Sequence, residues 1–399
     1  MCPVCVPAPP GVFFTGILVG CLRSSSARPA QGYSDVVAEV FGGRRMKVAV
    51  IGGSIGGLSA ATVLHRLGCE VKVFEKSATP FKGRGGSIGY CNVPLWEEIA
   101  GRRMLRRGVQ ASRAQGAYVY GDLWNYWNDC LPAGTISYNQ TITELGDDSL
   151  HPTIQGEPFD LAIIADGSWS ALRSRYFGPS QPQYAGYNVY RFRVLKDHCP
   201  WFGAEGQYKS GRYFTILMTI AMDNGQDWLM GGTSVPAEES EITGWRVGRA
   251  GDNRQDGDSD QSLPDWFLPL YKQEFGHLAG GQLIKVMEAA AQKGKIAMLP
   301  QYEFAAREVV KGRMVLVGDA AHTASPRTAA GGHTAVLDAL GLFEAFQPVL
   351  QAGADAASWG ATVDAALASY ASGGVKRASE LYASSLQVSV PVRHPNWPA

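Results

Sequence analysis

The feature that most constrains the fold of this chain is a strand, a glycine-rich loop, a helix and a second strand that follow Met46 in direct succession. Residues 47–51 are apolar and β-branched, apolar residues recur at helical spacing over 58–67, and 71–74 form a second apolar run. We predict a βαβ unit, whose two strands lie parallel because a helix joins them. Such a unit is typical of the α/β class, in which helices cover a parallel sheet.

The loop of this unit, GGSIGG at 52–57, has the glycine pattern of a dinucleotide-binding site. Gly52 permits the tight turn, Gly57 lets the helix pack on the strand, and Ser54 takes the place of the second glycine of the pattern. Glu75 ends the second strand and can accept the hydroxyl groups of an adenosine ribose. The alternative is a structural turn with a surface glutamate. The predicted contacts in this unit are Gly52, Ser54, Ile55, Gly57, Glu75 and Lys76.

Two later apolar strands end in a similar way, at an acidic residue beside a glycine. Residues 159–165 lead to Asp166 and Gly167, and residues 314–317 lead to Gly318 and Asp319. Each pair alone is explained by an ordinary turn. Parallel α/β sheets, however, bind their ligands at the carboxyl ends of the strands. Three such strand ends in one chain therefore predict that all three line one crevice.

Charge and composition restrict the class of ligand. Lysine plus arginine and aspartate plus glutamate both number 36, so the formal net charge is zero and no basic field is available for nucleic acid. No apolar run reaches the 18 residues of a membrane span, and the seven cysteines have no framework spacing. We find no metal-ligand spacing among the histidines. We expect a soluble, cytoplasmic protein with free thiols, no metal and no stable membrane insertion.

Residues 1–45 differ from the rest of the chain. An apolar run at 11–22 precedes an Arg/Ser-rich stretch at 23–28, and no acidic residue occurs before Asp35. The run is too short to span a bilayer, and the basic residues that open a secretory signal are missing. Two interpretations stay open, an organellar transit peptide or a protein that begins at Met46.

The middle of the chain, 184–299, has alternating apolar runs and an amphipathic helical pattern at 264–275. We predict a mixed β domain here, with a polar surface loop at 250–261. Residues 333–346 and 361–387 have helical patterns, which predict two helices near the carboxyl terminus.

In this order, the glycine loop with Glu75, the Asp166 stretch and the Asp319 stretch resemble the FAD-dependent aromatic hydroxylases of the para-hydroxybenzoate hydroxylase type. The sequence PRTAAG at 326–331 is also similar to the 2,6-dihydroxypyridine 3-hydroxylase branch of that family. The resemblance implies an α/β fold with a Rossmann-like FAD-binding domain, an inserted mixed β-sheet substrate domain and C-terminal helices. The implied division is 1–45 as a leader or extension, 46–183 with 300–350 as the FAD-binding domain, 184–299 as the substrate domain, and 351–399 as a C-terminal helical segment and tail.

The resemblance also implies roles for single residues. Arg84 would lie near the pyrophosphate of FAD, Asp319 would bond its ribityl or ribose portion, and Pro326 would lie beside the isoalloxazine. Gly331 and Gly332 would present N–H groups to the pyrimidine edge, where the positive end of a helix suits the negative charge of reduced flavin. The other implied cofactor contacts are Gly52, Gly57, Glu75, Gly85, Asp166, Gly167, Arg173 and Gly318.

The implied reaction is reduction of FAD by NADH or NADPH, formation of a flavin C4a-hydroperoxide with O2, and transfer of one oxygen to a small aromatic or N-heteroaromatic ring of the phenol or hydroxypyridine type. Such a ring reacts fastest when it is deprotonated, so we expect a base or a proton relay. The candidates are Tyr187, Tyr190, Arg191, Tyr213 and His322. For each tyrosine, packing in the core is the competing explanation.

The stretch between Arg84 and the helix near 122–131 is shorter than in relatives, so part of the pocket wall is expected to be missing or rebuilt. This leaves a non-catalytic or divergent FAD-binding protein as an alternative. A related flavoprotein reductase or halogenase is another, although the chain lacks a Trp-x-Trp-x-Ile-Pro halogenase motif. The choice between NADH and NADPH stays open, as does assembly into a homodimer.

Overall fold

The computed structural model describes residues 45–81, 86–104, 115–146, 148–221, 225–242, 263–293, 295–352 and 359–393. Almost all of the expected leader, the expected polar loop at 250–261, and the expected cofactor contacts Arg84 and Gly85 lie outside these residues. Within the described ranges, no helix is long and apolar enough to cross a membrane.

The secondary structure alternates between short strands and helices. The described strands, in chain order, are β1 Lys47–Ile51, β2 Glu70–Phe74, β3 Ser87–Asn92, β4 Gln115–Val119, β5 Ile136–Ser137, β6 Thr153–Ile154, β7 Glu157–Pro158, β8 Leu161–Ile164, β9 Gln183–Leu195, β10 Gly206–Ser210, β11 Tyr213–Ala221, β12 Asp227–Pro236, β13 Lys295–Ala305, β14 Val310–Lys311, β15 Met314–Leu316 and β16 His322–Thr323. The described α-helices are α1 Ile55–Arg66, α2 Val93–Ala100, α3 Tyr120–Asn128, α4 Ala171–Tyr176, α5 Phe267–Phe275, α6 Gln282–Lys293, α7 Gly331–Ala352 and α8 Trp359–Ser389.

The first sheet is built on the predicted βαβ unit. Strands β1 and β2 pair in parallel, and α1 joins them. Strand β8 pairs in parallel with the other side of β1, and β15 pairs in parallel with β8. The order across this six-stranded sheet is β14, β15, β8, β1, β2, β5. The three strands whose ends were predicted to bind a ligand are therefore direct neighbours, and their carboxyl ends lie at one edge.

The core of the first unit lies on the faces of this sheet. Val50, Ile163 and Val315, from the three central strands, are fully buried, as is Leu58 on α1. Burial of each such side chain contributes about 1.5–3 kcal/mol. The predicted C-terminal helices are confirmed as α7 and α8, and α7 packs against both α1 and α8. These contacts fix α7 behind the edge at which the carboxyl ends of β1, β8 and β15 lie.

All described strand pairs of the second sheet are antiparallel, and the order of its strands is β10, β11, β12, β9, β13, β16. Helices α5 and α6 cover one face, where Tyr190 and Phe192 of β9 share a core with Phe267 and Leu283. Alternate residues of β9 point to the opposite face, because side chains alternate along a strand. Strand β13 runs on to Ala305, beyond the expected boundary at 299, and so connects the two sheets in the chain.

Within the stretch that we expect to be shorter than in relatives, β3 and β4 form a two-stranded antiparallel ribbon. In the described residues this ribbon shares no hydrogen-bonded pairing with the second sheet. Helix α2 follows it directly, with Asn92 accepting a hydrogen bond from the Leu95 N–H and Gly101 ending the helix at a φ of 67°. The ribbon and α2 therefore pack beside the second sheet, where Val119 shares a buried cluster with Ile220 and Met230.

Candidate cofactor and active site

At two positions of the glycine loop, only a residue without a side chain fits. Gly52 has a φ of 108°, and a Cβ added to it would lie 2.2 Å from the Ala165 carbonyl oxygen. A Cβ added to Gly57 would lie 1.9 Å from the Gly52 carbonyl oxygen. These contacts bring the start of α1 against the ends of β1 and β8. The free N–H groups of the helix start then face the predicted crevice.

Glu75 is fixed under this loop. Its Oε2 accepts a hydrogen bond from the Gly53 N–H at 2.7 Å, its Oε1 accepts one from the Ser77 N–H at 2.7 Å, and the residue is 4% exposed. A carboxylate oxygen has two acceptor positions, so each oxygen keeps one for a ribose hydroxyl. Lys76 next to it is half-buried, and Ile55 is buried in the first turn of α1.

Three aromatic side chains cover the loop, and none of them is among the site residues predicted from the sequence. The Tyr120 hydroxyl lies 2.8 Å from Ser54 Oγ, and Trp124 Nε1 donates to the Gly53 carbonyl at 2.7 Å. The Phe81 ring packs against both aromatic rings, with centroid distances of 6.1 and 5.9 Å. Aromatic residues at helical spacing in 120–127 are the sequence signal that could have indicated this cover.

The loop after β8 is tied to the loop after β15 by Arg173. This arginine is 1% exposed, and it donates from Nη1 to the Ala320 carbonyl at 2.9 Å and from Nη2 to the Ser168 carbonyl at 2.8 Å. Its guanidinium also stacks over the Phe304 ring at 4.0 Å. The predicted cofactor contact Arg173 thus bonds protein groups and holds the two loops together.

Asp166 and Gly167 lie at the end of β8, as predicted. Burial raises the pKa of Asp166, and its Oδ1 is a buried atom with no hydrogen-bond partner among the described residues. Gly167 has a φ of 95°, and a Cβ added to it would meet nothing within 4 Å. Asp166 thus lies at the end of β8 as a buried carboxylate with one oxygen unpaired, next to a glycine that has open space beside it.

Gly318 and Asp319 complete the edge. Gly318 has a φ of 57°, and a Cβ added to Gly56 would lie 3.5 Å from the Gly318 Cα atom. The exposed Asp319 carboxylate accepts a hydrogen bond from Ser168 Oγ at 3.4 Å. The three strand ends therefore meet at one edge of the sheet, and their lining of a ligand crevice stays a prediction.

His322 lies behind this edge in a buried ionic network. Its Nε2 is 2.7 Å from Asp338 Oδ2, which also accepts the Gly318 N–H at 2.9 Å, and Arg377 Nε donates to Asp338 Oδ1 at 2.8 Å. Burial lowers the pKa of His322, but the Asp338 carboxylate outweighs burial and raises it. Burial raises the pKa of Asp338, but His322 and Arg377 outweigh burial and lower it. The network therefore favours a charged pair that holds the Gly318 turn.

The segment 325–332, here called the cofactor loop, leads into α7. Pro326 opens a short 3-10 turn, and Ala329 has a φ of 52°, a conformation that favours glycine. A Cβ added to Gly331 would meet nothing within 4 Å, whereas one added to Gly332 would lie 3.1 Å from the Ile88 side chain. The start of α7 thus has open space on one side, as the prediction for Gly331 requires.

His333, one residue further on, is neutral in its surroundings. Burial lowers its pKa, and its Nδ1 accepts a hydrogen bond from Trp96 Nε1 at 3.3 Å. The two rings stack with a centroid distance of 6.4 Å. Helix α2 is therefore anchored to the start of α7.

The structure separates the candidates for a base into two groups. Tyr187 and Arg191 share the face of β9 that α5 and α6 do not cover, and the Tyr187 hydroxyl lies 2.5 Å from Ser325 Oγ. Burial raises the pKa of Tyr187. Tyr190 lies in the helix-covered core, 4.4 Å from the Phe267 ring, and Tyr213 packs against the same core. Tyr190 and Tyr213 are thus placed away from the cofactor loop.

Together these residues fit a dinucleotide cofactor. Helix α1 begins at the glycine loop and α7 begins at Gly331, and the first N–H groups of a helix have no partner within it. The exposed Asp319 carboxylate lies at the same sheet edge, and the buried Asp166 lies beside it at the end of β8. The described part of the chain contains no group of three or more histidine, cysteine, aspartate or glutamate residues arranged to hold a metal ion. Its four cysteines, Cys69, Cys91, Cys130 and Cys199, are free thiols.

Comparison with known proteins identifies the dinucleotide cofactor as FAD. Residues 281–369 match the FAD binding domain model, and residues 47–88 match the pyridine nucleotide-disulphide oxidoreductase model. The chain is 24% identical over 342 residues to 6-hydroxynicotinate 3-monooxygenase of Bordetella bronchiseptica, which covers 75% of this chain and 82% of that protein.

Solved structures confirm the predicted fold. The structure of 2,6-dihydroxypyridine-3-hydroxylase from Arthrobacter nicotinovorans superposes with a TM-score of 0.64 at 20% identity, covering 89% of this chain and 96% of that one. The structure of Klebsiella pneumoniae HpxO complexed with FAD and uric acid gives a TM-score of 0.67 at 20% identity, covering 88% and 90%. The predicted resemblance and the flavoprotein monooxygenase fold are thereby confirmed, and the match to the FAD binding domain model confirms the FAD cofactor.

Proposed function

We propose that this chain, an FAD-dependent oxidoreductase related to the aromatic hydroxylases, transfers one oxygen atom from O2 to a small aromatic or N-heteroaromatic ring and consumes NADH or NADPH. The observation that carries the proposal is the contact of the cofactor loop with the substrate sheet. Through the pair of Ser325 and Tyr187, the cofactor loop lies beside the face of β9 that α5 and α6 do not cover. A flavin ring held by Pro326 and Gly331 would therefore meet a ring bound on that face.

Cofactor binding divides between the two helix starts. Gly52, Gly57 and Glu75 would hold the ADP half at α1, and Asp319 would bond the ribityl chain. Gly331 and Gly332 would bond the flavin edge, where the positive end of α7 stabilises negative charge. When bound, FAD supplies electron transfer from NAD(P)H and activation of O2. The protein's part is to hold the two rings together and to exclude water.

The substrate would be recognised on β9 by charge. Arg191 lies on the same strand face as Tyr187 and would offer a cation to a phenolate or a hydroxypyridine oxygen. Tyr187 is fully buried and its hydroxyl bonds to Ser325, so we assign it a role in holding the cofactor loop rather than that of a base. His322 is bonded to Asp338 behind the Gly318 turn, and we assign it a positioning role.

The test starts from the full chain purified with FAD. The visible absorbance of the flavin is measured first, followed by NADH and NADPH oxidation with a panel of hydroxypyridines and phenols under 18O2. We expect bound flavin, oxidation that a substrate stimulates, and one labelled oxygen in the product. Absence of flavin would overturn the proposal. Stimulated oxidation that yields only hydrogen peroxide would exclude hydroxylation of the rings tested.

Two variants of one strand sharpen this test. Arg191→Gln should raise the KM for the ring substrate about tenfold or more, because a hydrogen bond to a charged group is worth about 1.5–3 kcal/mol. Tyr190→Phe is the matched control, since Tyr190 lies on the opposite face of β9 in the helix-covered core. Equal KM values for the two variants would contradict substrate binding on the Arg191 face of β9.

The second candidate function is FAD binding without hydroxylation. It is favoured by the ribbon of β3 and β4, which does not extend the substrate sheet in the described residues. A pocket without that wall would admit water to the ring and release reduced oxygen as peroxide. Bound flavin with no substrate-stimulated oxidation across the panel would support this candidate.

A further inference from the structure

Ser325, the first residue of the cofactor loop, is held from two sides. Its backbone N–H donates to Ser385 Oγ at 2.6 Å, and its hydroxyl lies 2.5 Å from the Tyr187 hydroxyl. All three residues are buried, at 1%, 0% and 0% exposure. These bonds join the substrate strand β9, the cofactor loop and the last turns of α8, which are far apart in the sequence.

Ser385 is itself oriented by a buried carboxylate. Its hydroxyl donates to Glu303 Oε1 at 2.6 Å, and Arg393 Nη2 donates to Glu303 Oε2 at 2.7 Å. Glu303 is 2% exposed, and a carboxylate at this depth needs a partner for its charge. The serine proton is therefore directed to Glu303, which leaves the Ser385 lone pairs facing the Ser325 N–H.

A second hydrogen bond connects the cofactor loop to the same face of α8. Arg327 Nη1 donates to the Val388 carbonyl at 2.7 Å, and its guanidinium stacks over the Phe214 ring at 4.2 Å. Val388 follows Ser385 by three residues, so the two positions neighbour each other on α8. The cofactor loop is thus bound to α8 at two points, on either side of Pro326.

We propose that the end of α8 with Arg393 is a positioning element that holds the cofactor loop against β9. The proposal rests on FAD binding at this loop, and Ser385, Glu303 and Arg393 are its positioning residues. The bonds do not form a proton path, because the link between Ser325 and Ser385 passes through a backbone N–H that does not release its proton. Their effect is to fix where the loop lies relative to Tyr187.

The primary test is Ser385→Ala in the full chain, with Ser384→Ala as the matched control on the same helix. Amide hydrogen exchange of 325–332 is measured in FAD-free protein, and the dissociation constant of FAD is measured by flavin fluorescence. Loss of Ser385 leaves the buried Ser325 N–H without an acceptor, so we expect about tenfold faster exchange of the loop and about tenfold weaker FAD binding. For Ser384→Ala we expect changes below about twofold in both.

A general loss of stability would have a different pattern. If Ser385→Ala accelerates exchange of 47–51 as much as that of 325–332, or leaves FAD affinity unchanged, the positioning role is refuted. Arg393→Lys and Arg393→Gln test whether the positive charge beside Glu303 is needed for FAD binding. If Ser385→Ala does not fold, these two variants test the positioning role in its place. Lysine keeps the pairing with Glu303 and should restore most of the FAD affinity that glutamine loses. Equal affinities of the two variants would overturn the proposal.

These results are independent of the proposed reaction. Hydrogen exchange is read without cofactor or substrate, and FAD affinity is read without turnover. A protein that binds FAD but hydroxylates nothing would refute the proposed function and leave the positioning role standing.

Discussion

Replacement of Gly57 by alanine gives a direct measure of how much the cofactor site depends on one close approach. The added Cβ would lie 1.9 Å from the Gly52 carbonyl oxygen, whereas a carbon and an oxygen in contact need about 3.3 Å. The start of α1 and the end of β1 must therefore separate by roughly 1.4 Å. Overpacking of this kind costs about 1–3 kcal/mol, and both partners are backbone, so we take the upper value.

Two corrections set the size of the expected effect. Alanine in a helix gains about 1 kcal/mol over glycine, so the net destabilisation is about 2 kcal/mol. The displaced N–H groups at the start of α1 would also lose contact with the pyrophosphate. One lost hydrogen bond to a charged group is worth about 1.5–3 kcal/mol, which predicts FAD binding about tenfold to a hundredfold weaker.

The matched control is Gly360→Ala in the first turn of α8. Its added Cβ would meet only Arg313 Nη2, at 3.9 Å, so no clash offsets the helix propensity. We expect Gly360→Ala to keep the thermal midpoint or to raise it, and to keep the FAD dissociation constant. Fluorescence titration of FAD and thermal unfolding are measured for both variants. Wild-type FAD affinity in Gly57→Ala would refute the reasoning, because the close approach would then have no bearing on the site.

Three further predictions concern single groups. Glu75→Gln should weaken FAD binding about tenfold and leave FMN binding unchanged, because FMN lacks the adenosine ribose; equal losses for both flavins would contradict the ribose role. Asp338 raises the pKa of His322, and His322 lowers the pKa of Asp338. The pair therefore contributes to the free energy of unfolding between about pH 4 and 6.5. This contribution is lost as the pH rises through the folded pKa of His322, and also as it falls through the folded pKa of Asp338. Urea unfolding of Asp338→Asn should accordingly differ most from the wild type in that window, and a constant difference from pH 4 to 9 would contradict the pairing. Burial raises the pKa of Cys69 and Cys91 to about 12, so iodoacetamide at pH 8 should leave both unmodified in the folded protein, and peptide mapping that finds them alkylated would contradict the burial.

The parts of the site that the sequence predicts are those with local causes. The glycine loop follows a six-residue pattern in which the contact between Gly57 and Gly52 is local, and the Asp166 and Asp319 turns follow directly from the strands before them. Their meeting at one edge follows from a general property of parallel sheets. These features could be inferred because each depends on neighbours in the chain or on a rule that holds for all such sheets.

The parts that the sequence does not predict depend on pairs far apart in the chain. Strand periodicity places Tyr187 and Tyr190 on opposite faces of β9, since they are three residues apart, but it does not say which face the helices cover. The partner of His322 on α7 and the aromatic cover of the glycine loop likewise depend on how helices pack. Asp338 carries no local pattern that distinguishes it from any other helical aspartate.

The crevice is assembled from chain segments between Gly52 and Gly332, and this has a consequence for biosynthesis. At about 5–20 residues per second, a ribosome needs roughly 15–55 s to add the second helix start after the first. Through that interval the nascent chain holds the glycine loop without all of the strands and the helix that close the site. We therefore expect complete FAD binding only late in synthesis, and a nascent chain stalled soon after Glu75 would hold only the residues predicted to bind the ADP half.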